Sequence, residues 1–211
     1  MSRGLVHVLD DDADVRGSLG SLLRAEDFDV ALHATPEEFL AAKPTEVPSC
    51  LVLDIRLGGQ SGLDFQERLA EDGIAIPVIL ITGHGDIPMT VRGMKAGAID
   101  FLPKPFGDEQ LLAAIVAAIA VDAGRRAETA GDARLRDHYA RLTPREREVM
   151  ALVVTGLMNK QVAARLDLSE ITVKIHRGNV MRKIEAQSLA DLVRMAEQLG
   201  VRDESIHRFN I

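Results

Sequence analysis

The sequence predicts a doubly wound (βα)5 α/β unit followed by a small all-α unit of four helices. Over residues 1–121, short apolar runs alternate with helix-length amphipathic segments, the pattern of a parallel sheet covered by helices on both faces. Residues 122–141 are polar and carry no aliphatic stripe, whereas residues 142–211 have helical periodicity throughout. We therefore expect an α/β domain at 1–121, a linker or solvated helical extension at 122–141, and a helical domain at 142–211.

Apolar runs and helix-start signals give the expected elements in order. The expected strands are residues 4–9, 28–32, 50–54, 77–82 and 98–102. Thr35 and Thr143 each precede a proline and have Glu three residues later, as in a capping box. Asp86 and Asp108 are expected to be N-caps, and further helix starts are expected at Asn159, Ser169 and Ser188. The apolar run 111–121 is shorter than the roughly 20 residues that span a bilayer, so it predicts a buried helix.

Charge is distributed unevenly along the 211 residues, whose net charge is −7. Residues 1–121 carry 19 acidic and 9 basic side chains, a net charge of −10, while residues 142–211 have a net charge of +2. A nucleic-acid surface is therefore expected only in the C-terminal third. Cys50 is the only cysteine, which excludes an internal disulfide, and we expect it in the core. The N-terminal apolar stretch lacks the features of a secretory signal, so we expect a cytoplasmic protein without a membrane partner.

Polar residues stand where the expected strands end. Asp10-Asp11 follow the first strand, Asp54 ends the third, Thr82 ends the fourth, and Lys104 follows the fifth. Ligands of an open parallel sheet collect at the carboxyl ends of its strands. Three carboxylates at one edge repel one another unless a divalent cation lies among them, and oxygen ligands suit Mg2+. The set predicts phosphoryl transfer to a carboxylate, with Asp54 as the central nucleophile.

The sequence also fits other interpretations of these acids. A single Asp at a strand end is usually a helix cap or a solvated loop residue. The same chemistry also occurs in a carboxylate-based phosphohydrolase, but such an enzyme needs a second acid two residues after the nucleophile, and position 56 is Arg. A third alternative is a phosphate sink without a role on DNA. The conjunction of residues at four strand ends favours a functional site over isolated caps.

Residues 1–121 resemble a receiver domain of the flavodoxin-like fold, and the stretch GHGDIPMTVRGMKAGAIDFLPKPF at 83–106 is similar to the FixJ type. The resemblance implies no enzyme beyond slow self-dephosphorylation, and a sensor histidine kinase as the phosphoryl donor. It implies that Asp54 is the phosphoacceptor and that Mg2+ is bound by Asp11, Asp54 and the Arg56 backbone carbonyl, with help from Asp10. It also implies that Thr82, Lys104 and Phe101 contact the phosphoryl group or take part in the switch, and that the peptide bond before Pro105 is cis.

The sequence departs from the receiver pattern after the nucleophile. It has Leu57-Gly58 where the family commonly has Met-Pro, although the spacing to Gly62 is kept. We expect the glycine to loosen this loop. Because three acids stand in a row at positions 10–12, the metal-binding Asp could lie one residue earlier or later. We favour Asp11, since Arg16 then lies at the distance that is usual in the family, and Asp12 would then be the N-cap of the first helix.

Residues 159–184 contain two helical patterns joined by a short break at 165–168, which is typical of a helix-turn-helix. One shared apolar face is predicted to be core: Val162, Ala163, Leu166, Leu168, Val173, Val180 and Ile184. The second helix carries four basic residues and a single acid, Glu170. Basic side chains on such a helix suit the phosphates and base edges of DNA. A helical bundle with a solvated basic stripe is the alternative.

Residues 142–184, LTPREREVMALVVTGLMNKQVAARLDLSEITVKIHRGNVMRKI, resemble the LuxR/NarL type of effector domain. The resemblance implies double-stranded DNA and RNA polymerase as partners. It places Lys174, Ile175 and Gly178 at groove-facing positions and makes Arg177 and Lys183 candidates for contact with the DNA backbone or for helix support. His176 is expected to be a packing residue.

A phosphoryl group on Asp54 cannot touch the DNA-binding helix across a linker of some twenty residues, so its signal must pass through a changed surface. The elements nearest the site are the loop at 83–88 and Phe101. They border a helix at 86–97 and a strand at 98–102, which present Arg92, Lys95 and Asp100. We expect these three residues to form the surface of a homodimer that assembles on phosphorylation.

Overall fold

A computed structural model of the chain describes residues 3–43, 45–83 and 85–201. The chain divides into two compact units after Ala127. Residues 1–2, Pro44 and 202–211 of the expected domains and His84 of the 83–88 loop lie outside the described part. The domain boundaries at 121 and 142 stay predictions.

Parallel strands form the centre of the first unit, in the order β2-β1-β3-β6-β7, and a two-stranded hairpin, β4-β5, follows β3. The strands are β1 (Leu5–Leu9), β2 (Asp29–His33), β3 (Ser49–Asp54), β4 (Arg56–Leu57), β5 (Gln60–Ser61), β6 (Val78–Thr82) and β7 (Asp100–Pro103). The helices are α1 (Ala13–Ala25), α2 (Pro36–Ala41), α3 (Gly62–Glu71), α4 (Ile87–Lys95) and α5 (Asp108–Ala140), of which α5 continues past Ala127. The predicted doubly wound α/β fold is confirmed.

The central strands are apolar on both faces because helices cover both. On one face, Val52 and Ile79 pack with Leu23 of α1 and Ile115 of α5. On the other face, the core includes Leu80, and helices α2 and α3 contribute to it. Such strands appear in sequence as continuous apolar runs, which explains why their positions were predictable. The register pairs Leu9 with Leu53, so the residues that follow them, Asp10 and Asp54, reach the same edge of the sheet.

Helix starts follow the predicted capping chemistry with one correction. Asp12 accepts hydrogen bonds from two backbone amides of α1, Thr35 accepts from Glu38, and Asp86 accepts from Met89. Asp108, however, is the first residue of α5 rather than its N-cap; the Gly107 carbonyl accepts the first amide hydrogen bonds of this helix.

Helix α5 differs from the predicted buried helix at 111–121. It continues through residues 122–140, and within the apolar run it buries a single face: Leu111 and Ile115 are inaccessible, whereas Val116 and Val121 are about half exposed. An apolar run of this length does not reveal which of its residues meet the core.

All described elements of the second unit are helical, as predicted. Besides the end of α5 they are α6 (Pro144–Val153), α7 (Asn159–Leu166), α8 (Glu170–Ile184) and α9 (Leu189–Gln198). A capping box at Thr143 and Glu146 starts α6. Asp167 at the end of α7 has a left-handed backbone with φ of 52°, which makes the break between α7 and α8. Five of the seven residues of the predicted apolar face are buried, and Leu166 and Leu168 pack against the same core.

Two buried histidines form a polar pair inside the first unit. His7 Nδ1 lies 3.0 Å from His33 Nε2, and the Phe39 ring stands nearly perpendicular to both imidazoles, with centroids 5.2 and 5.5 Å away. Both side chains are 6% exposed. Burial, together with the neighbouring His33, lowers the pKa of His7 to about 4. One ring donates to the other, and protonation of both rings would leave two N–H donors facing each other.

The histidine pair predicts a loss of stability in acid. The unfolded chain protonates His7 near pH 6.5, whereas the folded chain resists protonation down to about pH 4. The free energy of unfolding of the first unit should therefore fall as the pH drops below 6.5, by about 3 kcal/mol at pH 4 from this group. Urea unfolding of the full chain, followed by circular dichroism at several pH values, measures this loss. His7→Leu should lack that part of the pH dependence; an unchanged pH dependence in this variant would contradict the assignment.

Candidate functional site

Three carboxylates meet at the carboxyl edge of the sheet. Asp54 ends β3, and Asp10 and Asp11 follow β1. One ligand oxygen from each of the three lies within 4.8 Å of the other two, an arrangement that suits a metal ion. Asp10 is inaccessible, Asp54 is buried and Asp11 is exposed, so the cluster opens to solvent on the Asp11 side.

The Lys104 ammonium bridges two of these acids. Its Nζ donates to Asp10 Oδ2 at 2.8 Å and to Asp54 Oδ2 at 2.9 Å. Burial raises the pKa of Asp10, although the hydrogen bond from Lys104 opposes the shift. Burial lowers the pKa of Lys104, but its hydrogen bonds to the two carboxylates outweigh burial and leave this pKa above its ordinary value. The site thus holds a charged lysine among acids.

Backbone contacts hold the site in place. The Asp12 amide donates to Asp10 Oδ1 at 2.9 Å, and the Arg56 amide donates to Asp54 Oδ1 at 3.1 Å. Arg16 Nη1 donates to the Asp10 carbonyl at 2.6 Å. Asp12 itself caps α1, which leaves Asp10 and Asp11 as the acids of this strand end that face the cluster. The Lys104–Pro105 peptide bond is cis, and the Lys104 amide donates to the Thr82 carbonyl.

The hairpin β4-β5 beside Asp54 was missed by the sequence analysis, which expected a loosened loop. Gly58 and Gly59 form its two-residue turn with φ values of 55° and 105°, a conformation that proline cannot adopt. Gly62 is required for a different reason, since a Cβ there would overlap the Asp54 carbonyl oxygen. The Gly-Gly pair was the available signal for a tight turn.

Two further predicted residues lie on the strands β6 and β7. Thr82 is inaccessible at the end of β6, and Phe101 is partly buried on β7. A Cβ at Gly85 would lie 2.9 Å from the Phe101 ring, so the segment after Thr82 and this ring are closely packed. A shift in this segment must therefore be accommodated by Phe101.

The residues expected on a dimer surface do not all have free side chains. Arg92 of α4 donates to Glu67 Oε2 and to Asp64 Oδ1 of α3, each at 2.6 Å. Hydrogen bonds to these acids raise the pKa of Arg92. Asp100 Oδ1 accepts from the Phe101 amide. Lys95 is exposed at the end of α4. Arg92 is therefore already paired within its own chain, with Glu67 and Asp64, which lie 25 and 28 residues earlier.

Helix α8 has one buried and one exposed face. Val173, Val180 and Ile184 are buried, while Lys174, Ile175 and Gly178 are exposed on the other side, as groove-facing residues need to be. Ile171, which the sequence analysis did not single out, is 74% exposed on that same side. Its signal was an apolar residue outside the core periodicity of the helix.

Two basic residues of α8 instead contact other helices. Arg177 Nη1 donates to Asn159 Oδ1 at 3.3 Å, and Lys183 Nζ donates to Glu146 Oε2 at 2.6 Å. The Glu146 side chain is 4% exposed. Burial raises the pKa of Glu146, but the hydrogen bonds from Lys183 and Thr143 outweigh it and hold the pKa below its ordinary value. Of the two roles expected for Arg177 and Lys183, these contacts fit helix support.

Two family models match the chain in the order of the two units. "Response regulator receiver domain" matches residues 6–116, and "Bacterial regulatory proteins, luxR family" matches residues 140–196. The chain belongs to the two-component response regulators with a LuxR-type DNA-binding domain. The receiver model alone covers more than half of the chain.

Similar proteins and structures agree with this family. Nodulation protein W of Bradyrhizobium diazoefficiens is 54% identical over 200 residues, which cover 95% of this chain and 88% of that protein. Transcriptional regulatory protein FixJ of Rhizobium meliloti is 46% identical over 193 residues, 90% of this chain and 94% of that protein. A low-resolution structure of the response regulator StyR has a TM-score of 0.82 and 46% identity, and covers 92% of this chain and 98% of its own.

Membership decides among the alternatives that the sequence left open. The response regulator is a DNA-binding transcription regulator, and its relatives are named as regulators rather than as phosphohydrolases. Its receiver domain implies a histidine kinase partner, and its helix-turn-helix implies binding to DNA. Among the described residues, no helix is both long and apolar enough to cross a membrane.

The Lys183–Glu146 pair of this regulator predicts a cost in stability rather than a direct cost in DNA contact. Lys183→Met leaves a buried carboxylate without its cation and should lower the free energy of unfolding of the second unit by about 2 kcal/mol. Urea unfolding measures the change. Lys174→Met, at an exposed position of the same helix, is the control and should change stability by less than about 0.5 kcal/mol. If the two variants are equally stable, Lys183 does not support the fold through Glu146, and contact with DNA becomes its better assignment.

Proposed function

We propose that a histidine kinase transfers a phosphoryl group to Asp54 and that this transfer switches the regulator to a dimer that binds DNA. The observation that carries the proposal is the position of the Lys104 ammonium, 2.9 Å from Asp54 Oδ2 and 2.8 Å from Asp10 Oδ2. A cation fixed beside a nucleophilic carboxylate is positioned to stabilise phosphoryl oxygens as they arrive.

The chemical step is an exchange of phosphoryl acceptors. A carboxylate oxygen of Asp54 attacks phosphorus, the P–N bond to the kinase's phosphohistidine breaks, and the electron pair returns to that imidazole. The product is an acyl phosphate on Asp54. The Arg56 amide holds Asp54 Oδ1 at 3.1 Å and so fixes the orientation of the carboxylate. Lys104 and the Thr82 hydroxyl are the proposed contacts of the transferred group.

The acid cluster suits Mg2+ as the cofactor. The proposed ligands are Asp11, Asp54 and the Arg56 carbonyl, with Asp10 assisting, and the acids among them supply hard oxygens within 4.8 Å of one another. Mg2+ bound there would neutralise charge on the phosphoryl oxygens. Lys104 offsets part of the negative charge of Asp10 and Asp54, which leaves the exposed Asp11 as the acid most open to a cation.

The proposed switch runs from Thr82 to the outer face of the receiver. A Thr82 hydroxyl drawn towards the phosphoryl group moves the segment after it, which packs against Phe101. That movement changes α4 and β7, where we place the dimer surface with Lys95 and Asp100. Arg92 also belongs to the proposed surface, where its half-exposed guanidinium is shared with Asp64 and Glu67 of its own chain.

A dimer would present two α8 helices to DNA about one turn apart, roughly 34 Å, and the second contact would gain from the raised effective concentration. Lys174, Ile175 and Gly178 are the proposed groove contacts, with Arg177 and Lys183 acting mainly through the packing of α8. RNA polymerase is the proposed partner of the DNA-bound dimer. Both partners place the proposed action in the cytoplasm.

Phosphorylation at Asp54 is tested by substitution. Asp54→Asn keeps the size of the side chain but removes the nucleophilic carboxylate, so modification by a small phosphodonor with Mg2+ should fall to background on phosphate-affinity electrophoresis. Asp29→Asn, at an exposed position of β2, is the matched control and should be modified like the parent chain. Acid-labile modification retained by Asp54→Asn would sink the assignment.

Dimerisation is tested through Lys95. Sedimentation of the full chain with Mg2+ and a phosphodonor should show monomer converting to dimer. Lys95→Glu reverses a charge on the proposed surface and should weaken the dimer at least about tenfold while Asp54 is modified normally. Lys43→Glu, after α2, makes the same exchange elsewhere and should dimerise like the parent chain. A parent chain that stays monomeric after phosphorylation, both free and on DNA, would refute the coupling.

A further inference from the structure

Two isoleucines on the exposed face of α8 have no role in the core. Ile171 is 74% exposed and Ile175 is 58% exposed, the highest values among large apolar side chains in the described part of the second unit. They lie one helical turn apart, so both project from the same side. Val173, Val180 and Ile184 anchor the opposite side of the helix in the core.

On the same face of α8, the positions that follow the isoleucines hold a glycine and then a basic residue. Gly178 comes one turn after Ile175, and a Cβ added there would meet no atom within 4 Å. Arg182 follows it, and Lys174 flanks the line; both are exposed. The result is an apolar pair at the start of the helix, a gap without a side chain, and cations beside and beyond it.

This arrangement selects the chemistry of the occupant. Exposed isoleucines gain free energy only when another apolar group covers them, by about 0.8 kcal/mol per methyl-sized group. The cations alongside favour an occupant whose rim is anionic. A duplex major groove combines both features, since phosphates line its edges and the thymine 5-methyl group is the apolar feature on its floor.

We propose that Ile171 and Ile175 determine sequence specificity by packing against thymine 5-methyl groups in the major groove. The proposal rests on the proposed function of α8 as the DNA-contacting helix and names what that helix selects. One helical turn separates the two side chains by about 6 Å, close to two base-pair steps of about 3.4 Å. The two isoleucines therefore contact thymines about two base pairs apart, and Gly178 lets the helix backbone approach the bases that follow.

The test removes single methyl groups from DNA. Full-length regulator with Mg2+ and a phosphodonor is used to select duplexes from a random-sequence pool, and a selected duplex is then made with deoxyuridine in place of each thymidine in turn. Uracil pairs like thymine but lacks the 5-methyl group. At two positions in each half-site, about two base pairs apart, the substitution should weaken binding about fourfold, as fluorescence anisotropy would measure.

Alanine variants assign the methyl contacts to residues. Ile171→Ala should abolish the effect of deoxyuridine at one position and Ile175→Ala at the other, and alanine favours the helix more than isoleucine does, so folding is retained. Met158→Ala, which truncates an apolar side chain 54% exposed outside α8, should keep the full effect at both positions.

Three results would overturn the inference in distinguishable ways. Selection that enriches no duplex would contradict DNA binding by α8, and with it the proposed function. Enriched duplexes that bind equally well with uracil would contradict only the role of the isoleucines. Alanine variants that retain the parent affinity and the parent sensitivity to uracil would point to a protein as the occupant of this face.

Discussion

The Lys104 ammonium is the contact on which the rest of the receiver site depends. Without it, the Asp10 and Asp54 carboxylates, whose oxygens lie within 4.8 Å of each other, would repel by at least about 3 kcal/mol at an effective dielectric constant of about 20. Lys104 lies 50 residues after Asp54 and 94 after Asp10, so only the folded sheet brings the three together. The same ammonium is positioned to offset the negative charge that a phosphoryl group on Asp54 would add.

The constraint extends outward from this contact. The register of β1 and β3 sets the spacing of the acids, and the Lys104 amide joins β7 to β6 through the Thr82 carbonyl. Thr82 leads into the segment that packs on Phe101, and beyond it lies α4, which Arg92 ties to α3. The site at Asp54 is therefore connected to α4 through elements that pack against one another. The proposed switch from Asp54 to α4 would act through this set of elements.

Sequence reasoning succeeded where the physical signal is local or periodic. The strands are apolar runs, the caps at Thr35, Asp86 and Thr143 lie within three residues of their partners, and the strand-end acids follow from the parallel sheet. The hairpin at Gly58 and Gly59 was missed because strands of two residues are too short for a period to appear. In the same way, the continuation of α5 over residues 122–140 brings only Leu135 and Tyr139 to an apolar core, too few for an apolar stripe that would distinguish a helix from a linker.

The remaining differences arise from contacts between distant residues. From the sequence alone, Arg92 looks like a charged residue available to an interface. Its partners Asp64 and Glu67 become apparent only when α3 and α4 pack together. Lys183 belongs to a basic helix in sequence, yet its ammonium neutralises a buried Glu146 that lies 37 residues earlier. A charge pattern records which side chains are ionised; the fold decides which of them remain available to a partner.

Coupling between phosphorylation of Asp54 and binding to DNA can be measured as a difference in affinity. The affinity of the full chain for a single selected duplex is measured at fixed salt, with Mg2+ alone and with Mg2+ plus a small phosphodonor. Binding should tighten at least about tenfold with the phosphodonor, because a second α8 is then held near its half-site. Equal affinity under the two conditions, with Asp54 shown to be phosphorylated, would contradict this coupling.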